Sequence, residues 1–158
     1  MNIMKFVCAT CIAWFIFGFF SCMAQSPAQL KSLDIFLDKN IDELDKIYVN
    51  LRQMSVAQEE LYLPISIDCI NAVRYSIDSV GRQTKIYPLM RDKQDKEIIR
   101  KITNIENSTA QKINEHCIEQ INYVLPKIKS EVIMLELKQA RDLLQKIQHE
   151  LKRVSVPN

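Results

Sequence analysis

Reactive side chains gather in two places along the sequence, Asp68-Cys69 and Glu115-His116-Cys117. Three chemistries use such residues: a zinc site, a Cys–His nucleophilic dyad and a disulfide. Zinc takes ligands that converge on one point, and no CxxC or HxxxH spacing is present to arrange that. Neighbours on a helix point about 100° apart, so His116 and Cys117 do not face one metal. The same divergence removes the dyad, whose two groups must lie within hydrogen-bond reach. The sequence therefore assigns no catalytic residue, no metal and no cofactor. A Cys69–Cys117 disulfide remains as the expected chemistry.

That pairing carries a geometric condition. Suppose one unbroken helix ran from Asp92 to Val124, antiparallel to a helix ending at Val80. The two cysteines would then be offset by about 20 Å at 1.5 Å per residue. Bonded cysteines need Cα atoms within roughly 7 Å. The pairing thus predicts a helix break near Asn107–Thr109, or a helix order other than a simple hairpin. A bridge between two chains is the remaining option.

Asn107-Ser108-Thr109 is also a sequon for N-glycosylation. Its side chains compete for backbone hydrogen bonds, and this places Asn107 at an exposed break. Acidic neighbours at Glu59-Glu60 and at Asp92, Asp95 and Glu97 lie near expected helix starts, where they complement the helix dipole. General acid–base work is not assigned to them. Tyr62, Tyr75, Tyr87 and Tyr123 read as aromatics at the edge of a core.

The chain has 158 residues and five cysteines. Cys8, Cys11 and Cys22 fall in the first 24 residues, which read as an address. A short start with Lys5 leads into the uncharged run Phe6–Phe20, which holds Trp14, the only tryptophan. Small residues follow at Cys22 and Ala24. That order is the pattern of a secretory signal peptide. The apolar run is also shorter than the roughly 20 residues a membrane-spanning helix requires. Residues 1–24 are thus expected to be removed, leaving 25–158 as one domain in a secreted or extracytoplasmic setting. There an oxidising environment suits a disulfide. Phe19-Phe20-Ser21-Cys22 also resembles the lipobox of bacterial lipoproteins, with Phe19 in the place of the usual leucine. On that alternative Cys22 is lipidated.

Beyond the address the charge is nearly balanced, with 20 basic and 19 acidic residues. Nothing favours nucleic acid, which calls for a clustered basic stripe. Glycine is scarce: Gly18 and Gly81 are the only two. This excludes glycine-rich phosphate loops and argues against an all-β fold.

The elements that position everything else are helical. Leu30, Leu33, Leu37, Asn40, Leu44, Ile47, Leu51 and Met54 alternate three- and four-residue steps, a heptad seam. Phe36, Ile41 and Tyr48 widen that seam. Asn40 is its one polar member and reads as a solvated edge residue. Ser55 and Gln58 resemble a capping box for a second helix, which Pro64 interrupts and Gly81 would close as its C′ residue. Its stripe is Ile70, Val73, Ile77 and Val80. Ile98, Ile102 and Ile105 mark a third stretch, and Ile113, Cys117, Ile121 and Val124 a fourth, ended by Pro126. Ile133, Leu137, Ala140, Leu144, Ile147, Leu151 and Val154 form the last. Charges of both signs mix on the outer face of that helix, which is not a basic membrane-binding stripe.

The expected fold is an all-α bundle of four or five long amphipathic helices. The expected role is non-enzymatic: an exported binding or interaction protein, with a protein partner or an apolar ligand between the helices. Its rivals are a structural coiled coil, homodimeric through the first or last helix, and a lipid-anchored bacterial envelope protein.

Overall fold

The computed structural model describes residues 27–57 and 62–153, with side chains described over 31–55 and 62–153. The expected signal peptide, Cys22, Glu59, Glu60 and Val154 lie outside them. Four helices fill the described chain: α1 (Pro27–Ala57), α2 (Leu63–Ile86), α3 (Lys93–Val124) and α4 (Glu131–Arg153). Each packs on its sequence neighbour, and α4 closes the ring against α1. Paired residues set the directions. Lys85 of α2 meets Asp34 and Asp38 of α1, Asn107 of α3 meets Leu151 of α4, and Asn50 of α1 meets Glu136 of α4. Neighbouring helices are therefore antiparallel, giving an up-down-up-down bundle.

Proline sets the boundaries. Pro64 is in the first turn of α2, where its missing N–H costs nothing. Pro88 and Pro126 instead fall in single 3₁₀ turns, Tyr87–Leu89 and Leu125–Lys127, that end α2 and α3. Asp92 caps α3, its carboxylate accepting from the backbone N–H groups of Gln94 (2.7 Å) and Asp95 (3.3 Å).

The heptad seams meet along the bundle axis. Leu33, Leu37, Leu44 and Leu51 of α1 pack with Ile70, Val73, Ile77 and Val80 of α2. Ala110, Cys117 and Ile121 of α3 join them, as do Ile133, Leu137, Leu144 and Leu151 of α4. The stripes that would have paired two copies are thus buried within one chain.

Four expectations are corrected. Residue Asn40 is 6% exposed, not a solvated edge, because its Nδ2 donates to the Phe36 carbonyl one turn back at 2.5 Å. Residues Thr84 and Thr103 satisfy themselves likewise, on the carbonyls of Gly81 and Ile99. Nor does Ser55 open α2, since α1 continues through Ala57. Gly81 does not end α2, which runs on to Ile86. Finally, α3 has no break at Asn107–Thr109.

Gly81 lies in a helix interior with nothing within 4 Å of where a Cβ would stand. A Gly81→Ala chain should therefore be more stable by about 0.5–1 kcal/mol, through reduced backbone freedom in the unfolded state. Urea unfolding followed by circular dichroism measures this. A lower midpoint would show that the space around Gly81 is needed.

Candidate functional site

Cys69 of α2 and Cys117 of α3 face each other at disulfide distance, with Cα atoms 5.2 Å apart. No helix break brings them there. Because α2 continues past Val80 and the 3₁₀ turn adds about 2 Å per residue, the offset expected from the sequence shrinks to a few ångströms. A simple hairpin with an unbroken α3 therefore suffices. Cys117 is fully buried in the core, whereas Asp68, Glu115 and His116 point outward. Glu115 is 3.8 Å from Lys152 of α4, an ion pair. Among the described residues no three His, Cys, Asp or Glu side chains gather as a ligand set.

Asn107 is not at an exposed break. It is 4% exposed, and its Nδ2 donates to the carbonyl of Leu151 across the α3–α4 interface at 3.1 Å. A glycan would replace a hydrogen on that nitrogen and has no exit from the core, so an occupied sequon is incompatible with this packing. Gln111 donates to the same carbonyl, while Asn114 donates to the Leu144 carbonyl at 2.8 Å and to Gln148 Oε1 at 2.9 Å. Two core-facing asparagines thus read the backbone of α4, a use that no local pattern in the chain signals.

Two basic residues of α2, Arg74 and Lys85, tie it to α1 from outside the core. Arg74 pairs with Asp45, donates to Asn71 Oδ1 at 2.8 Å and lies over the Tyr48 ring at 4.6 Å. Lys85 binds Asp38 at 2.9 Å and Asp34 at 3.5 Å. The hydrogen bond to Asp38 raises the pKa of the Lys85 ammonium above its ordinary 10.5, so the ammonium stays charged through neutral pH and its share of the contact is lost as it deprotonates in strong alkali. On α3, the hydrogen bond from Arg100 holds Glu97 below its ordinary 4.5. At the other end of the bundle, the Lys127 ammonium lies over the rings of Tyr62 and Tyr123. Both tyrosines stand out in the sequence as core-edge aromatics, whereas the lysine between them looks like any surface charge.

An open groove of about 440 Å³ lies between α1 and α4. Ile47 and Leu143 form its apolar floor. Its walls alternate in charge, with Glu43, Glu136 and Asp142 against Lys46 and Lys146, and the amides of Asn50 and Gln139 lie between them. No heptad seam marks this groove in the sequence. The groove is built from residues flanking the two seams, whose types resemble any solvated helix face. Compared with known protein families, with characterised proteins and with solved structures, the chain gives no match.

Proposed function

We propose that this chain is an exported, non-enzymatic binding module that receives a segment of a protein partner in the α1–α4 groove. The groove carries the reading. It is open to solvent and its floor is apolar, while both charge signs and two amides line its walls. Such a lining suits a polar peptide or helix better than an apolar ligand, which asks for an enclosed and mostly hydrophobic site. Export is supported by the Met1–Ala24 pattern and by the cysteine pair at disulfide distance.

Site-specific photo-crosslinking in the source cell tests both halves. A crosslinker at Gln139, inside the groove, should trap one partner in the extracytoplasmic fraction. One at Lys112, on the outer face of α3, should not. The Glu43→Lys/Glu136→Lys chain should lose the product while keeping its helical circular dichroism. Equal products from both positions, or full-length chain recovered only from the cytosol, would sink the reading.

A further inference from the structure

We infer that the end of the bundle built by the α2–α3 connection is a docking surface for an anionic lipid bilayer. The connection runs Tyr87-Pro88-Leu89-Met90-Arg91-Asp92-Lys93, apolar first and then mostly basic. Leu89 sits in the 3₁₀ turn at the tip with 73% of its surface exposed. Ile98, in the second turn of α3, is 48% exposed. Ile35 of α1 stands at the same level, since Lys85, one turn before Leu89, binds the neighbouring Asp34 and Asp38. Ile105 continues the Ile98 face a heptad further on and is 66% exposed. Because α1 and α3 stand diagonally in the ring, Ile35 faces one flank and Ile98 and Ile105 the opposite one, and the apolar tip of this end is Leu89.

Lys31, Arg91, Lys93 and Lys96 surround them and form no ion pair among the described residues. Three carboxylates lie among them, and the third, Glu97, pairs with Arg100 and Lys101 and feels the Lys93 charge. Asp92 is turned onto the α3 N-terminus, and Asp95 in the first turn faces the same helix dipole. The other basic groups nearby, Arg82, Lys85, Arg100, Lys101 and Arg153, are in ion pairs. An exposed apolar tip followed directly in the chain by Arg91 and Lys93, neither in an ion pair, matches what an anionic bilayer binds: burial of the tip adds to attraction of the cations.

Chain direction supports the same occupant. The residues before Pro27 join α1 at this end, two turns before Asp34. A lipid on Cys22, or any anchor in the leader, would therefore hold this end and not the opposite one toward the membrane. The tip makes its own contact, so docking does not depend on lipidation. It is also independent of the α1–α4 groove, whose loss of partner would leave it standing.

Vesicle co-sedimentation of the exported Cys22→Ser chain, which excludes a lipid on that residue, tests the inference. Binding should be stronger to vesicles of phosphatidylglycerol and phosphatidylcholine than to phosphatidylcholine alone, and should weaken with salt. Leu89→Glu should lower the partition coefficient by at least about tenfold, the loss of one buried leucine. Arg91→Gln/Lys93→Gln should lower it by about thirtyfold on anionic vesicles only. Leu135→Glu, at the opposite end and also exposed, should change nothing. All sites are exposed, and circular dichroism confirms folding of each variant. Equal binding to neutral vesicles, no binding to either kind, or a loss from Leu135→Glu matching that from Leu89→Glu would overturn it. The second outcome would leave an acidic protein as the occupant of the tip.

Discussion

The Cys69→Ser/Cys117→Ser chain should melt well below the parent while keeping its helical circular dichroism at low temperature. The two positions are 48 residues apart in sequence, and the loop they close contains the whole α2–α3 connection. Closing a loop of that length removes enough freedom from the unfolded chain to stabilise the fold by about 4 kcal/mol in the chain-entropy model. Cys117 is also fully buried, so a serine there places a hydroxyl among Ile121, Ile70 and their neighbours. The parent chain under reductant should move toward the variant, and the variant should not respond to reductant. If the parent thiols label with iodoacetamide before reduction, or if the linked species runs as a dimer, the bridge is not intramolecular. The stability difference then has another source.

Leu144→Ala should cost about 2–5 kcal/mol, the range for removing a buried leucine side chain where the surroundings relax only in part. Leu144 has no exposed surface and sits midway along α4, and its carbonyl accepts from Asn114. A shift of α4 to fill the void would pull that carbonyl away, so collapse is resisted. Leu44 of α1 is equally buried but anchors no cross-helix hydrogen bond among the described residues, and Leu44→Ala should fall lower in the same range. Chemical unfolding of both variants decides this. A loss under about 0.5 kcal/mol at either site, the usual size for a surface position, would place that face outside the core.

The fold was legible wherever the apolar period was long. The seams of α1 and α4 could be read residue by residue, because a heptad stripe has one buried solution in a bundle. Local signals failed where tertiary contacts outweighed them. Gly81 and Asn107-Ser108-Thr109 look like punctuation, yet α2 and α3 run through them. In the second case the asparagine is spent on Leu151 of another helix, which no local reading contains. The disulfide pair is legible in the cysteine count, but its geometry is not, because Gly81 suggests a helix end at Val80 and α2 runs on to Ile86. The groove and the Leu89 tip were illegible for a different reason. Each is assembled from outward-facing residues, and only packing shows which of these fall side by side.

Asn107 and Asn114 are seven residues apart, as are the Leu151 and Leu144 carbonyls they bind. This matching interval quantises how α4 can slide along α3. A shift of one turn strands both amides in an apolar interior, at a penalty of about 1–3 kcal/mol for each lost partner. A shift of a full heptad would re-seat Asn114 near Leu137, but it would also drive the end of α4 past its partner and uncover the leucines there. The two asparagines therefore act as a ratchet, separating the native alignment from its nearest alternatives by a barrier that leucine seams alone would not provide.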